Sequence, residues 1–261
     1  MEYSIFQVDA FADEIFRGNP ACVVPLNNWL SDKILLDIAK ENGVAETAFF
    51  IRKRTEILLR WFTPDIEMDL CGHATLATAH VIFTHYNYSS NKIVFSTQSG
   101  KIEVVRENDF YYLNLPSWNP IKSELPKEIE LSLNILPKEV YKTRDYLLVY
   151  ESQKEIESIN INRTFFDRIN LGCGGVIITS VGETTDFVSR FFTPQSTILE
   201  DPVTGSAHST LIPYWSSRIN KNKLEAIQLS QRGGRLICES LFDRVIVGGR
   251  AVTFMKGCLY I

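Results

Sequence analysis

The sequence predicts an α+β protein of two similar, pseudo-symmetric domains, each a curved, barrel-like β-sheet around a central helix. The first observation is a repeat, because Arg60–Phe83 (RWFTPDIEMDLCGHATLATAHVIF) recurs 130 positions later as Arg190–Trp215 (RFFTPQSTILEDPVTGSAHSTLIPYW). Both copies open with arginine, an aromatic residue and Phe-Thr-Pro, and both lead through an acidic stretch to a glycine and an apolar run. The offset is half of the 261-residue chain, and a period of this length indicates two domains rather than a solenoid.

Each copy of the repeat predicts a strand, a loop and a helix. The strands are expected over Glu56–Thr63 and Asp186–Phe192, where β-favouring residues stop at Thr-Pro. The helices are expected to begin at Gly72 and Gly205. The first helix is apolar on nearly every face, which is typical of a helix enclosed by its domain, and Pro213 is expected to kink or shorten the second.

The rest of the first half predicts strands and one amphipathic helix. Ser31–Asn42 places apolar residues on one face, with Ser31 as the N-terminal cap and Gly43 as the stop. The predicted strands are Tyr3–Val8, Ala21–Pro25, a strand that resumes at Glu46, Lys92–Thr97, Lys101–Arg106 and Phe110–Leu115.

The segment Pro116–Pro126 holds three prolines and predicts the boundary between a domain of residues 1–117 and a domain of residues 118–261. Beyond it, helices are expected over Lys127–Leu136 and Arg163–Ile169. The further strands predicted in this half are Tyr146–Tyr150, Val176–Val181, Ala226–Gln231, Arg235–Cys238, Arg244–Val247 and Ala251–Leu259.

Composition excludes several classes of function. The net charge is −4 without a basic block, which argues against nucleic-acid binding. No apolar run approaches the about 20 residues of a membrane span, and the first residues, MEYSIFQVDAF, do not resemble a signal peptide. The five cysteines are odd in number and scattered, so we expect reduced thiols in a cytoplasmic protein.

The starts of the two repeated helices predict an anion site. A buried helix leaves its first N–H groups unpaired, and two such ends facing one cleft would hold a carboxylate. Capping by nearby side chains is the alternative for each end. Polar residues at both starts, His73 in one copy and Asp201 and Ser206 in the other, favour a site.

Glu46 and His73 are the candidate acid–base residues. Glu46 is a single charge in the apolar run VAETAFF, and the alternative is a side chain that points to water from a strand edge. Alignment at the repeated arginine puts Val176 opposite Glu46, so only one half carries this carboxylate. His73 lies in the first helical turn, where the helix dipole is expected to lower its pKa and keep the ring neutral; the alternative is a histidine that caps the helix.

Metal, nucleotide and two-thiol sites are not predicted. His73, His80 and His85 are spaced too far apart along one helix to share an ion. The glycine-rich Gly172–Gly175 departs from a dinucleotide-binding pattern and precedes a strand. Cys71 has no cysteine counterpart before Gly205, so it is interpreted as a packed residue.

Five segments of the chain together resemble the PhzF family of phenazine-biosynthesis-like isomerases. Their sequences, in chain order, are VDAFADEIFRGNPACVV at Val8–Val24, ETAFF at Glu46–Phe50, RWFTPDIEMDLCGHATLATAHV at Arg60–Val81, FFTPQSTILEDPVTGSAHSTLIPYW at Phe191–Trp215 and QRGG at Gln231–Gly234. The resemblance implies a diaminopimelate-epimerase-like fold with its site between the domains, and an activity that uses neither cofactor nor metal. Many relatives have serine where this chain has Ala45, so the sequence leaves the substrate open.

The resemblance also implies the roles of individual residues. Glu46 would move a proton between carbons of one small, cyclic or unsaturated carboxylic acid, with His73 and Asp201 as the other catalytic residues. The residues expected to bind the substrate are Asn19, Gly72, Gly205 and Ser206. A homodimer is implied by the resemblance only. Two alternatives stay open: an amino-acid epimerase or racemase, which the missing second thiol disfavours, and a non-catalytic protein that binds small acids.

Overall fold

A computed structural model describes residues 1–54 and 56–261 of the chain. Residue contacts divide it into a first unit, Met1–Leu115 with Ile246–Ile261, and a second unit, Pro116–Val245. These limits differ from the predicted 1–117 and 118–261, because the last strand of the chain pairs with the first strand and so belongs with the first half. Local sequence patterns carry no information on such a distant pairing.

The first unit contains most of the strands and the longer of the two central helices. Its elements are β1 (Glu2–Ala10), β2 (Asn19–Leu26), α1 (Asp32–Asn42), β3 (Glu46–Arg52), β4 (Ile57–Phe62), β5 (Glu67–Met68), α2 (Gly72–His85), β6 (Lys92–Thr97), β7 (Gly100–Glu107), β8 (Phe110–Pro116), and, from the end of the chain, β17 (Arg244–Gly249) and β18 (Ala251–Tyr260). Two of these, β8 and β17, run a residue or two past the boundary.

The sheet of the first unit curls around α2. Strand β1 lies between β18 and β2, and β2 runs parallel to β3. Strand β3 is antiparallel to β4, which pairs with β5 on one side and runs parallel to β6; β7 and β8 continue from β6 as an antiparallel meander. Helix α2 is buried from Gly72 to Phe83, as predicted for a central helix, and contacts β1, β2, β3 and β18.

The second unit has shorter elements. These are β9 (Ile121–Lys122), α3 (Lys127–Ser132), β10 (Glu139–Lys142), β11 (Tyr146–Val149), α4 (Gln153–Ser158), α5 (Arg163–Phe166), β12 (Val176–Val181), β13 (Phe187–Phe192), β14 (Glu200–Asp201), α6 (His208–Ile219), β15 (Lys223–Gln228) and β16 (Gly234–Leu241). Within the described residues, no helix of either unit is long and apolar enough to cross a membrane.

The pairing order of the second unit repeats that of the first. Strand β11 runs parallel to β12, β12 is antiparallel to β13, β13 pairs with β14 and runs parallel to β15, and β15 is antiparallel to β16. Strands β2 to β7 show the same succession of parallel and antiparallel pairs. The structure therefore confirms the predicted fold of two similar units, each a curved sheet around a central helix.

Helix α6 differs from α2 at its start and tolerates a proline inside. The predicted start at Gly205 is a tight turn of i to i+3 hydrogen bonds, and the α-helix begins at His208. Pro213 has no N–H to donate to the carbonyl of Ser209. That carbonyl instead accepts the backbone N–H of Trp118 at 2.8 Å, so no acceptor is left unpaired and the helix continues to Ile219.

The repeated arginine forms the same ion pair and the same contact with a phenylalanine ring in both units. Arg60 forms a bidentate ion pair with Glu67, at 2.6 and 2.7 Å, and its guanidinium carbon lies 5.1 Å from the ring centre of Phe62. Arg190 pairs in the same way with Glu200, at 2.7 and 2.9 Å, and stacks on Phe192 at 4.9 Å. The motif of arginine, phenylalanine and a downstream acid therefore fastens a strand to the loop that follows it.

Arg190→Ala is expected to destabilise the second unit by about 2–3 kcal/mol, somewhat less than the about 3–5 of a fully buried pair. The variant leaves Glu200 half-buried without its cation and removes the donor to the carbonyls of Ile156 and Ile159, which end α4. Urea unfolding measures the change. Arg235→Ala, which breaks an exposed ion pair with Glu225, is the matched control and should cost at most about 1 kcal/mol. Equal losses in the two variants would contradict the prediction.

Candidate active site

The N-terminal ends of two strands and one helix lie close together in the interior of the first unit. Asn19 is the first residue of β2, Glu46 the first of β3, and His73 the second of α2. Their relative exposures are 0%, 9% and 2%, so three polar side chains lie together almost out of contact with water. Burial of polar groups is costly unless they interact with one another or with a ligand.

The imidazole of His73 lies between an amide and a carboxylate. Its Nδ1 lies 3.1 Å from Nδ2 of Asn19. Nε2 lies 2.9 Å from Oε2 of Glu46. The approach is close but not aligned as a hydrogen bond, and neither atom has another hydrogen-bond partner among the described residues. Both atoms can therefore turn towards a ligand.

The predicted lowering of the His73 pKa was wrong in direction. Burial acts to lower the pKa of this imidazole, but its interactions with Cys71 and Glu46 outweigh burial and raise the pKa well above its usual value. The Cys71 thiol is itself uncharged near neutral pH, so the Glu46 carboxylate is the charge that favours the imidazolium there. The predicted effect of the helix dipole is smaller than that of a carboxylate at 2.9 Å.

Cys71 contacts the same imidazole but does not supply a reactive thiolate. Its Sγ lies 3.6 Å from Nδ1 of His73. Burial and the charge of Glu46 raise the pKa of this thiol to about 11, which keeps it protonated and poorly nucleophilic. One ligand atom each from Glu46, Cys71 and His73 fall within 4.8 Å of one another, so this set, unlike the three histidines considered from sequence, has the spacing of a metal site. In the same set, the Glu46 carboxylate faces Nε2 of His73 at 2.9 Å, which is also the arrangement of an acid–base pair.

The start of α2 provides backbone donors beside these side chains. Cys71 precedes the helix without forming a side-chain capping bond, and no acidic residue lies in the first turn. The Cys71 side chain therefore does not cap this end, and the expected anion site at this helix start stays a prediction. Uncapped N–H groups at a helix start attract anions, so Gly72 and His73 can cradle a carboxylate through their backbones.

The other predicted site residues lie in the second unit. Asp201 ends β14 and accepts hydrogen bonds from the Thr204 hydroxyl and, through its carbonyl oxygen, from Gln228. Gly205 and Ser206 form the turn before α6, and Ser206 Oγ accepts a hydrogen bond from Arg144 at 3.3 Å. Their predicted action on the same substrate as Glu46 stays a prediction.

Strand register corrects the predicted counterpart of Glu46. Thr47 pairs with Phe62 as Val176 pairs with Phe192, so Val176 corresponds to Thr47 and Glu46 corresponds to Gly175. A Cβ atom on Gly175 would lie 2.4 Å from the ring of Phe191 and 2.7 Å from the carbonyl oxygen of Phe192. The second unit has no space for a side chain at this position, which explains why only one carboxylate is present.

Gly175→Ala is expected to destabilise the protein by about 1–3 kcal/mol, because the added methyl group meets a backbone oxygen that cannot move away easily. Thermal or urea unfolding measures the loss. Gly257→Ala is the control, since its Cβ would have its nearest neighbour at 3.9 Å. A Gly175→Ala protein as stable as the control variant would show that the position can accept a side chain.

Comparison with known proteins agrees with this architecture. Residues 8–257 match the sequence profile of the PhzC-PhzF family, described as phenazine biosynthesis-like proteins. A Pseudomonas aeruginosa protein named as an uncharacterised isomerase is 45% identical over 262 residues, covering 100% of both chains. The human phenazine biosynthesis-like domain-containing protein is 35% identical over 291 residues, with 99% of each chain covered.

Solved structures give the same answer. The crystal structure of a PhzF-family phenazine biosynthesis protein from Enterococcus faecalis has a TM-score of 0.93 and 44% identity, with 100% of both chains covered. A probable proline racemase from Agrobacterium radiobacter has a TM-score of 0.68 and 7% identity, covering 98% of this chain and 92% of that chain, and so shares the fold alone. From the match over nearly its whole length, this chain belongs to the PhzF family and has the epimerase-like fold.

Proposed function

We propose that the protein is an isomerase in which Glu46 moves a proton between two carbons of a small unsaturated or cyclic carboxylic acid. The observation that carries the proposal is the buried Glu46 carboxylate, with Oε2 at 2.9 Å from the ring nitrogen of His73. A buried carboxylate beside a buried imidazole with a raised pKa is typical of an acid–base site. Relatives named as isomerases support the reaction class.

The proposed chemistry needs one base. The Glu46 carboxylate takes a proton from a carbon that lies between the substrate's carboxylate and its C=C bond, and the electron pair of the broken C–H bond is delocalised into the carboxylate and through the C=C bond. Backbone N–H groups of Gly72 and His73 stabilise the developing negative charge. Protonated Glu46 exchanges its proton with solvent and then delivers a proton to a different carbon, so the double bond shifts and the net composition is unchanged.

His73 and Asn19 serve this step by position and charge. The Asn19 amide lies beside Nδ1 and so orients the ring with Nε2 facing Glu46, where a positive imidazole attracts the carboxylate and holds it in position. From the second unit, Asp201, Gly205 and Ser206 are proposed to bind the remainder of the substrate. Racemisation with Cys71 as a second base is less well supported, because its thiol has a pKa of about 11.

The test is turnover of a panel of small unsaturated acids in D₂O, followed by NMR and mass spectrometry. We expect one class of acid to be isomerised and to carry deuterium at the new C–H position. Amino acids of both configurations belong in the same panel. Inversion of an amino acid without migration of a double bond would replace this proposal by the racemase alternative.

A further inference from the structure

The second unit contains an open cavity of about 540 Å³ whose ionisable lining groups are all cationic. Its lining residues are Ser117, Trp118, Asn119, Ile121, Lys142, Thr143 and Arg144. Two of these are positively charged and none is acidic, although the chain as a whole has a net charge of −4. Such a wall raises the local concentration of anions.

The two cations are held by aromatic rings. The guanidinium of Arg144 lies 5.0 Å from the ring centre of Trp118, and the Lys142 ammonium lies 4.6 Å from that of Tyr146. Lys142 also contacts the Tyr146 hydroxyl at 3.2 Å and forms no ion pair with an acid among the described residues. Rings orient a cation without neutralising it, so the positive charge of Lys142 remains available to a ligand.

A structural explanation exists for Arg144 alone. It is the counter-ion of Asp145, a fully buried carboxylate that also accepts the backbone N–H of Gly175 at 2.9 Å. The contacts from Arg144 to Asp145 are 3.2 and 3.3 Å, long for a charged pair. The pairing with Asp145 does not explain why Lys142 lies in the same wall. It also does not explain why the Arg144 guanidinium contacts Ser206 Oγ at 3.3 Å.

The aromatic wall is rigidly held. The backbone N–H of Trp118 donates to the Ser209 carbonyl of α6, which Pro213 leaves without a helical donor. The backbone N–H of Ser117 donates to the Asp243 carbonyl at 2.9 Å. With its backbone anchored at these two points, the Trp118 indole and the Arg144 guanidinium beside it form a flat surface with a charged edge. A rigid site loses little entropy when a ligand binds.

We infer that this cavity binds a small planar organic anion, with its carboxylate at Lys142 and Arg144 and its flat apolar part against Trp118. Its link to the reaction rests on the proposed function, because Ser206, a proposed substrate contact, is within reach of the same guanidinium. In that role Arg144 is a specificity-determining residue that selects planar, unsaturated acids over saturated ones.

Calorimetric titration with benzoate tests the inference, with benzamide as the uncharged analogue and cyclohexanecarboxylate as the non-planar one. We expect benzoate to bind at least about tenfold more tightly than either, the loss expected when a charged hydrogen bond or the aromatic contact is missing. Lys142→Gln and Arg144→Lys should each weaken benzoate, and Trp118→Leu should remove the preference for the planar acid. Arg144→Lys keeps a cation beside Asp145, which protects folding.

Arg168→Gln is the matched control, because Arg168 is also stacked on an aromatic ring, Phe165, in the same unit but outside the cavity. Benzoate binding unchanged in Lys142→Gln and Arg144→Lys, or equal binding of benzamide, would overturn the inference. So would binding that these variants keep but Asn19→Ala loses, since the anion would then lie in the first unit. Failure of the D₂O panel with benzoate binding intact would count against the proposed reaction alone.

Discussion

Replacement of Glu46 by glutamine is expected to lower kcat by about 100- to 10,000-fold, the usual contribution of a positioned acid–base group. Glutamine has nearly the shape of glutamate but cannot accept a proton from carbon. The amide can still contact Nε2 of His73, so the fold and the affinity for the substrate should be nearly kept. Deuterium incorporation from D₂O and the dissociation constant of the substrate are measured together.

Two further variants make the result specific. Glu41→Gln changes an exposed carboxylate on α1 and should leave the rate unchanged. Glu46→Asp keeps a carboxylate, but its side chain is shorter by one methylene group. The kcat of this variant should therefore lie between those of wild type and Glu46→Gln. A Glu46→Gln enzyme that still exchanges deuterium within about tenfold of wild type would remove Glu46 from the proton transfer.

Acid is expected to destabilise the protein by about 3 kcal/mol for each of two buried histidines as the pH falls from about 6.5 to about 4. Burial lowers the pKa of His80 and of His208 from 6.5 to about 4 in the folded state. Both rings are held as neutral groups. His80 contacts Tyr111 and Thr253, and His208 contacts the Thr204 carbonyl.

The sign follows from proton binding by the two states. Above pH 6.5 neither state binds a proton at these rings, and their contribution to stability is complete. Between pH 6.5 and 4 the two histidines are protonated in the unfolded chain but remain neutral in the folded protein, so the free energy of unfolding decreases. Below pH 4 they are protonated in both states, and the free energy of unfolding falls no further through these two groups. The raised pKa of His73 acts in the opposite sense, favouring the folded state in acid.

Urea unfolding at about pH 7.5 and about pH 4.5 gives the measurement, and the difference between the two is compared among variants. His208→Gln and His80→Gln keep a hydrogen-bonding side chain but do not titrate, so each should reduce this difference by about 2.5 kcal/mol. His85→Gln is the control, because His85 is exposed and should change the difference less. If the free energy of unfolding falls by the same amount between the two pH values in wild type and in both buried-histidine variants, groups other than His80 and His208 cause the acid sensitivity.

Local chemistry was sufficient to predict many of the elements. The helix over Asp32–Asn42 begins after its Ser31 cap and ends at Gly43, which adopts a left-handed conformation with φ of 62°. The strands Lys92–Thr97 and Val176–Val181 have their predicted limits. In contrast, the helix expected to reach Leu136 ends at Ser132, and Gln153–Ser158 was missed although Ser152 and Glu155 form a capping box there.

The candidate site was predicted in part, and each failure has a physical cause. The contact between Glu46 and His73 agrees with the proposed roles, but the direction of the His73 pKa depended on a side-chain distance that sequence does not contain. The counterpart of Glu46 was misplaced by one residue because the arginine offset ignores where the strands pair. The Arg144–Asp145 pair went unnoticed, although two opposite charges directly before an apolar strand were a signal for it.

The pairing of β18 with β1 makes the first unit depend on a strand that is synthesised after the whole second unit. The N–H of Ile261 donates to the carbonyl of Met1 at 2.9 Å, so this part of the sheet forms only after β18 has been synthesised. Residues 116–245 are continuous in sequence and complete earlier. Because unpaired strand edges promote aggregation, a nascent chain stalled before Ala251 exposes the edge of β1, and truncation at the C-terminus harms the half of the molecule that carries Glu46.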